Sequence, residues 1–582
     1  MRITAALHSF DPWPGEVVEN KNKIINKIDE YRHKADILVF PEMSLPGYCI
    51  GDLHKDSEFI NLQENALKEI INASEGITVI LGLTTLDFSG KKMSDGTTAR
   101  YNGFAVISNG RLIRMGKKTL LVDEGVLEDS RYFLLGKKEE IEPVEVNIRG
   151  QKILLGIMIC QDMWDDYSEV KVADILSKKG ADFLIVLNSS PFYVGKLEKR
   201  IQTALRRVSE TSLPLLYVNT TGIQDIGKNI VIFDGRSFAI TQSGVKVQEG
   251  FLTETLVTTL ETNERITELP FWKAQNDGIS VLADSLIYTL REFFRRTKVF
   301  TRAVIGLSGG IDSALDALLI SKALGNNSLI CVNMPSKFNS DITRNIAGKI
   351  ADALGAEYYI HPIQEIVDLK KKLLEQSLGV VSGLTIENLQ ARARGSILME
   401  YSQEKAAMVI GNGNKTEFQR GYATLYGDIL GAIMPLGDVN KLLVFALAAY
   451  LDPENRILPR ELFEIVPSAE LSEAHNIAEG KGDPFDYYVE SPIGVEIVEN
   501  ARSPELLKQL FLERSLDSVL WIPDRHGRTV YEKFTPEGFF IYAQSVVRAI
   551  RKSYFKRVQA PPIPVVSPRA FGMDYRESLF LP

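Results

Sequence analysis

Cys160 lies in a sequence setting typical of a nucleophile. It directly follows the apolar run 153–159, which predicts a buried strand with the thiol at its end. Because a thiol is only slightly ionised at pH 7, attack on an amide benefits from a nearby base and from a cation that stabilises the developing oxyanion. Glu42, after the apolar run 37–40, and Lys118 could supply one of each. These three residues predict nucleophilic cleavage of an amide.

A glycine-rich turn in the second half has the features of a phosphate-binding loop. Its residues are Ser308, Gly309, Gly310, Ile311, Asp312 and Ser313. The turn joins an apolar strand to a helix predicted from Ser313, so two glycines allow close approach to a phosphate and free amides supply donors. Asp312 could hold a divalent cation that bridges phosphates. The turn lacks GxxxxGKS/T and GxGxxG, so it indicates neither Walker-type nor dinucleotide-type binding, and alone it also fits a tight structural turn.

Short apolar runs alternate with helical and loop segments along the chain, which predicts an α/β protein. The polar segment 261–270 separates the pattern of short apolar runs in the first half from a different pattern in the second half. In the second half, a predicted helix at 279–296 precedes a strand–turn–helix–strand unit. That unit predicts a doubly wound parallel sheet, whose ligands bind at the carboxyl ends of the strands. We therefore expect domains at 1–262 and 276–582, joined by a linker at 263–275.

The composition argues against several other classes of protein. The 582 residues carry 67 Lys+Arg against 75 Asp+Glu, and a net charge of -8 gives no basis for a nucleic-acid surface. Three cysteines are too few for a disulfide scaffold, so we expect a cytoplasmic protein in which Cys49 and Cys331 are buried hydrophobes. The longest apolar run, 442–451, is too short to span a bilayer and predicts a buried helix. The six histidines are scattered along the sequence, which argues against a zinc site with His and Cys ligands.

The first half resembles the nitrilase superfamily. The segments around Glu42, Lys118 and Cys160 match that family's Glu-Lys-Cys triad in order and context. The resemblance implies an α-β-β-α sandwich in which these residues are catalytic, with Tyr48 and Ser190 helping to hold glutamine. Departures from the usual pattern are Val122 for Pro, Glu124 for Tyr, Asp129 for a supporting Glu, and Gln161 for a frequent Glu.

The second half resembles the NAD synthetase family in its glutamine-dependent branch, a group of ATP pyrophosphatases. Besides the turn, the matching segments are 387–394, 411–417, 421–428, 438–441, 555–562 and 567–572. The resemblance implies an adenine nucleotide α-hydrolase-like domain. One position departs from the family pattern, since Asn412 stands where the family often has Thr. The implied roles are ATP binding by Ser308, Gly309, Gly310, Ile311, Asp312, Ser313, Asn412, Lys441 and Ser468, Mg²⁺ binding by Asp312 and Glu417, and binding of nicotinic acid adenine dinucleotide by Arg392 and Lys556.

Together the resemblances imply a ligase. Its first half would release ammonia from glutamine, and its second half would adenylylate the dinucleotide carboxylate with ATP and Mg²⁺ and then amidate it to NAD⁺. The expected partners are these small molecules, with no nucleic acid or membrane, and the family implies a homo-oligomer. Two alternatives stay open: an amidotransferase acting on another carboxylate, since SGGxDS alone indicates only nucleotide activation, and a regulatory subunit with an inactive amidase half.

Overall fold

The computed structural model describes residues 1–87, 89–273 and 278–578. Contacts divide the chain into two compact units, Met1–Ile226 with Val231–Asn276, and Gly227–Ile230 with Asp277–Pro582. The linker expected at 263–275 falls partly on residues 274–277, which lie outside the described residues. Within the described ranges, no helix combines the length and the apolar character needed to cross a membrane.

Two six-stranded sheets form the centre of the first unit. The strands of this part of the chain are β1 (Arg2–His8), β2 (Ile37–Val39), β3 (Thr78–Leu86), β4 (Arg100–Ser108), β5 (Arg111–Lys117), β6 (Val144–Ile148), β7 (Gln151–Ile159), β8 (Phe183–Asn188), β9 (Leu215–Asn219), β10 (Thr221–Asp225), β11 (Asn229–Asp234), β12 (Phe238–Thr241), β13 (Gly244–Val247) and β14 (Thr255–Glu261). The two sheets have the orders β14-β1-β2-β3-β4-β5 and β13-β12-β9-β8-β7-β6.

Four helices cover the outer faces of the two sheets: α1 (Val17–Tyr31), α2 (Ser57–Ala73), α4 (Val172–Lys178) and α5 (Lys196–Thr211). The unit also contains the one-turn helix α3 (Asp129–Tyr132). The inner faces of the sheets share one core, in which Ile80 of one sheet packs with Ile157 and Ile185 of the other. A second core holds α1 and α2 against the first sheet, and a third holds α4 and α5 against the second sheet. This layering confirms the expected α-β-β-α sandwich.

The second unit is built on a parallel sheet. Its elements are α6 (Gly278–Thr297), β15 (Arg302–Gly306), α7 (Ile311–Leu324), β16 (Leu329–Asn333), α8 (Asp341–Leu354), β17 (Glu357–Ile360), α9 (Gln364–Leu378), α10 (Gly383–Lys405), β18 (Ala407–Ile410), α11 (Lys415–Arg420), α12 (Lys441–Leu451), α13 (Glu461–Glu464), α14 (Tyr487–Val498), α15 (Pro504–Leu512), α16 (Val530–Lys533), α17 (Pro536–Val558) and β19 (Ile563–Pro564). The sheet order is β17-β16-β15-β18, and every neighbouring pair is parallel.

The strand order of this sheet confirms the predicted doubly wound fold. From β15 the chain moves outward to β16 and β17, then returns to place β18 on the other side of β15. The switch point therefore lies between β15 and β18, where ligands of such sheets bind beyond the carboxyl ends of the strands. The glycine-rich turn follows β15 directly, so the topology brings it to this position.

Two details differ from the sequence-based expectations. Helix α7 begins at Ile311 rather than at Ser313, because Gly310 is the extended N-cap residue with φ -87° and ψ 160°. The apolar helix α12 is buried on only one side, since Leu443 and Tyr450 are 39% and 47% exposed. The prediction that this helix is buried was therefore wrong for its outer face.

Candidate active sites

Glu42 and Lys118 form a fully buried ion pair in the first unit. Glu42 follows β2 and Lys118 follows β5, and the Lys118 Nζ lies 2.8 Å from Glu42 Oε1. Two further donors fix the carboxylate: Asn102 Nδ2 donates to Oε1 and the Ser189 N–H donates to Oε2, each at 2.7 Å. On its other side the Lys118 Nζ lies 2.7 Å from Asp129 Oδ2. Burial alone would lower the pKa of Lys118, but Asp129 and Glu42 hold that pKa well above its usual value, so the lysine stays charged.

Cys160 directly follows β7 and begins a 3₁₀ turn, Cys160–Met163. Its φ of +43° lies in the left-handed region, which a non-glycine residue adopts only where the surrounding structure enforces it. Burial, together with the negative charge of Glu42, raises the pKa of the thiol to about 12, and the charge of Lys118 opposes that rise. The resting thiol is therefore protonated at neutral pH, and attack requires a base to take its proton.

Asp162 joins the turn of Cys160 to the segment after Lys118. Its Oδ2 accepts from the Ile159 N–H at 3.0 Å, and its Oδ1 accepts from the N–H groups of Thr119 and Leu120 at 3.0 and 2.8 Å. Burial raises the pKa of Asp162 to about 6. The sequence analysis missed this residue, although an acidic side chain two positions after the cysteine was the available signal.

Asp129 occupies the position of a supporting carboxylate. Besides Lys118 it contacts Tyr48, whose hydroxyl donates to Asp129 Oδ1 at 2.6 Å. The backbone N–H of Val122 donates to Asp129 Oδ2 at 3.2 Å. The structure therefore gives the Tyr48 hydroxyl a role in positioning Asp129, and its contact with glutamine stays a prediction.

Ser190 is buried within an ion-paired network. Its Oγ accepts from Arg200 Nε at 3.1 Å, and the same guanidinium donates to Asp234 Oδ1 at 2.7 Å. The backbone N–H of Ser190 donates to Asn219 Oδ1 at 2.9 Å. The hydroxyl is held in place, and its predicted contact with glutamine stays untested.

Lys196 is a cation near Cys160 that the sequence analysis did not identify. Its Nζ lies 4.7 Å from the ring centroid of Trp164 and 5.1 Å from that of Tyr193, and its charge lowers the pKa of the Cys160 thiol. Burial lowers the pKa of Lys196 to about 8, and the charge of Glu124 opposes this shift. A cation here suits the carboxylate of an amino acid. The available signal was a lysine that begins α5 directly after Gly195.

In the second unit, the glycine-rich turn packs too tightly for a side chain at one position. Gly309 has φ +87°, and a Cβ there would lie 2.1 Å from the carbonyl oxygen of Thr343. Hydrogen bonds shape the turn: the Gly310 N–H donates to Ser308 Oγ at 3.2 Å, and the Ser308 N–H donates to Ser313 Oγ at 3.3 Å. A side chain at Gly309 would clash, so the turn keeps the compact glycine backbone that leads into the start of α7, where helix N–H groups can meet a phosphate.

All residues of this turn except Gly309 line a cavity of about 500 Å³ at the switch point. The predicted residues that also line it are Asn412, Glu417, Lys441, Ser468 and Lys556. Asn412 Nδ2 donates to the Gly306 carbonyl at 2.9 Å, and its buried Oδ1 has no hydrogen-bond partner among the described residues. Ser468 Oγ donates to the His475 carbonyl at 2.8 Å.

Asp312 and Glu417 lie on either side of the Lys441 ammonium. Lys441 pairs with Asp312, and its Nζ lies 3.6 Å from Glu417 Oε1. Burial and the charge of Asp312 raise the pKa of Glu417, as expected for two neighbouring carboxylates. No group of three or more His, Cys, Asp or Glu residues in the described part of the chain could hold a metal ion. Two carboxylates nevertheless fit Mg²⁺, which in nucleotide sites is held by one or two of them together with substrate phosphates.

The two residues predicted to bind the dinucleotide differ in their positions. Lys556 Nζ faces the cavity and donates to the carbonyls of Gly421 and Ala423 at 2.7 and 2.6 Å. Arg392 is exposed, its Nε donates to the Leu425 carbonyl at 3.2 Å, and it is not among the described residues that line the cavity. Its predicted role therefore finds no support in the geometry of this cavity.

Comparisons with known proteins match both units. The carbon-nitrogen hydrolase family matches residues 4–269, and the NAD synthase family matches residues 283–505. The chain is 31% identical to the glutamine-dependent NAD(+) synthetase of Aquifex aeolicus, over 97% of this chain and 96% of that protein. It is 29% identical to the protein of the same name from Thermotoga maritima, over 99% and 98% of the two chains.

Solved structures agree with this similarity. The glutamine-dependent NAD+ synthetase from Acinetobacter baumannii, determined in complex with ADP, has a TM-score of 0.71 and 27% identity over 100% of this chain and 98% of that chain. The enzyme from Cytophaga hutchinsonii, at 18% identity and TM-score 0.79 over the same shares, supports the fold alone.

Proposed function

The chain belongs to the family of glutamine-dependent NAD(+) synthetases, and on that premise we propose how its two sites carry out the reaction. The first unit hydrolyses glutamine to glutamate and ammonia. The second activates nicotinic acid adenine dinucleotide with ATP and amidates it to NAD⁺, releasing AMP and pyrophosphate. The observation that carries this proposal is the presence in one chain of the buried Glu42–Lys118 pair beside Cys160 and of the phosphate-type turn in a large cavity.

In the first unit, Glu42 acts as the base. It takes the proton of the Cys160 thiol while the sulfur attacks the amide carbon of glutamine, because the thiol pKa of about 12 leaves little thiolate at rest. The Lys118 ammonium, kept charged by Asp129 and Glu42, stabilises the negative charge on the amide oxygen. Glu42 then gives the proton to the leaving nitrogen, the C–N bond breaks, and ammonia departs, which leaves the glutamyl group as a thioester on Cys160. Water attacks the thioester with Glu42 again as base, which releases glutamate and restores the thiol.

Tyr48, Ser190 and Lys196 are proposed to bind glutamine or to position the groups that do. Lys196 suits the α-carboxylate, since its ammonium lies close enough to Cys160 to lower the pKa of the thiol. Tyr48 acts through Asp129, which contacts both Tyr48 and Lys118.

In the second unit, residues 308–313 bind the ATP phosphates, with the N–H groups at the start of α7 as the main backbone donors. The substrate carboxylate attacks the α-phosphorus and pyrophosphate leaves, so a poor acyl donor gains AMP as its leaving group. Ammonia then attacks the acyl carbon and AMP departs. Asn412 and Ser468 contribute polar atoms to the same cavity. Lys556, which lines this cavity, and Arg392, which does not, are the residues proposed for the dinucleotide.

Asp312 and Glu417 would hold Mg²⁺, as their position on either side of Lys441 supports. When bound, the ion would neutralise phosphate charge. The charges of Asp312 and Glu417 raise the pKa of Lys441 against the opposing effect of burial. A cytoplasmic location is part of the proposal and is supported by three free cysteines. The homo-oligomeric state stays a prediction.

The test is NAD⁺ formation by the purified full chain from the dinucleotide acid, ATP, Mg²⁺ and glutamine. One glutamate, one AMP and one pyrophosphate are expected for each NAD⁺. A panel of other carboxylic acids in ATP–pyrophosphate exchange tests the alternative amidotransferase. ATP–pyrophosphate exchange with another acid, and none with the dinucleotide acid, would show that the other acid is the substrate.

A further inference from the structure

Arg394 places a guanidinium at the cavity of the second unit without a carboxylate partner. It lies on α10, lines the cavity and is partly buried. Its Nε donates to the Met334 carbonyl at 3.1 Å, and its Nη2 donates to Asn339 Oδ1 at 3.0 Å. Both acceptors are neutral, and Arg394 forms no ion pair with a carboxylate among the described residues. Nη1 and one hydrogen of Nη2 therefore remain for other acceptors.

Other cations that line the cavity are already engaged. Lys441 pairs with Asp312, and Lys556 donates to two backbone carbonyls. Arg344 donates to the Asn339 carbonyl and pairs with Asp341. Burial lowers the pKa of Arg394 to about 10, and the more distant charges of Glu470 and Asp428 offset this only in part. A partly buried charge with no opposite charge beside it is costly, and an anionic ligand would offset that cost.

We propose that Arg394 binds phosphate oxygens of a nucleotide substrate. This inference rests on the proposed function, since it requires nucleotides to occupy the cavity. The planar guanidinium presents several N–H donors in a geometry that matches phosphate, and a charge-assisted bond gains strength where water is excluded. The Arg394 guanidinium donates to the carbonyl of Met334, which directly follows β16. Arg394 therefore reaches the cavity at the carboxyl end of the sheet, where the glycine-rich turn also lies. Both ATP and the dinucleotide acid carry the required phosphates.

The experiment uses the full chain carrying Arg394→Gln or Arg394→Lys. Equilibrium titrations with ADP and with the dinucleotide acid identify which nucleotide supplies the phosphate, and KM and kcat are measured with ammonium as nitrogen source. Arg394→Gln should raise one dissociation constant and the matching KM about tenfold or more, with a smaller change in kcat. Arg394→Lys keeps the charge and should recover part of the loss. Arg460→Gln, at a side chain that is 83% exposed, is the control and should match wild type.

A purely structural role for Arg394 predicts a different pattern. If it only holds the loop at Asn339, Asn339→Ala should raise the same constants as much as Arg394→Gln does. Equal effects, or unchanged constants for both ligands in Arg394→Gln, would overturn the proposal. The titrations do not need turnover, so a wild-type chain that binds ADP but makes no NAD⁺ would count against the proposed function and not against Arg394.

Discussion

The backbone N–H of Val122 donates a hydrogen bond to Asp129 Oδ2, 3.2 Å away, and the same oxygen lies 2.7 Å from Lys118 Nζ. Both Val122 and Asp129 depart from the pattern of the nitrilase superfamily, which usually has proline and glutamate at these positions. Proline has no N–H and could not make this bond. The two departures are therefore coupled through one carboxylate oxygen.

Val122→Pro should lower glutaminase kcat/KM by about tenfold to a hundredfold, because a buried carboxylate loses a hydrogen-bond donor. Asp129→Glu changes the same contact from the other side. The double variant should lose less activity than the two single changes predict by addition. Glutamate release measures the effect, ammonium-driven NAD⁺ formation is the control, and strictly additive losses would contradict the coupling.

Asp162→Asn should also impair glutaminase activity while sparing ammonium-driven synthesis. An asparagine NH₂ group would face N–H donors where the carboxylate accepts three hydrogen bonds. In the wild-type chain, the pKa of Asp162 is raised to about 6, so glutaminase activity should fall as the pH drops through that value and the carboxylate gains a proton. A wild-type-like rate in the variant would show that these bonds do not position Cys160.

Glu417→Gln should weaken Mg²⁺ dependence and lower turnover with both nitrogen sources, since it removes one of the two proposed oxygen ligands. Labelling of Cys160 by a glutamine analogue should be unchanged, because Cys160 and Glu417 belong to different units. Unaltered Mg²⁺ activation in this variant would remove Glu417 from the metal site.

The stability that Asp316→Asn adds to the second unit, relative to wild type, should increase as the pH rises. Asp316 is fully buried, and neither carboxyl oxygen has a hydrogen-bond partner among the described residues. Burial and the charge of Asp312 raise its pKa well above 3.8. The folded chain thus holds the proton more tightly than the unfolded chain, so wild-type stability is fully present below the unfolded pKa and is lost as the pH rises toward the folded pKa.

The difference between wild type and Asp316→Asn should grow by at most about 1.4 kcal/mol per pH unit within that window. Calorimetric unfolding across mildly acidic to neutral pH measures it. A constant difference would mean that Asp316 has the same proton affinity in both states.

The site residues that could be predicted from the sequence are those that follow the end of a strand. Cys160 after β7, Glu42 after β2 and the turn after β15 follow from apolar runs that end in reactive residues. Asp162, Lys196 and Arg394 depend on contacts between distant segments, such as Asp162 with Thr119 and Arg394 with Met334. No local pattern marks such contacts, so the position of Arg394 at the cavity could not be predicted from the sequence.

The most direct test of the account compares nitrogen sources in Cys160→Ala. The account assigns ammonia release to the first unit and NAD⁺ synthesis to the second, so this variant should form no NAD⁺ from glutamine and should retain close to wild-type formation from ammonium. NAD⁺ is quantified with each source for wild type and variant, after checking that the variant is folded. Loss of both activities in the folded variant, or continued use of glutamine, would contradict the division of labour between the two units.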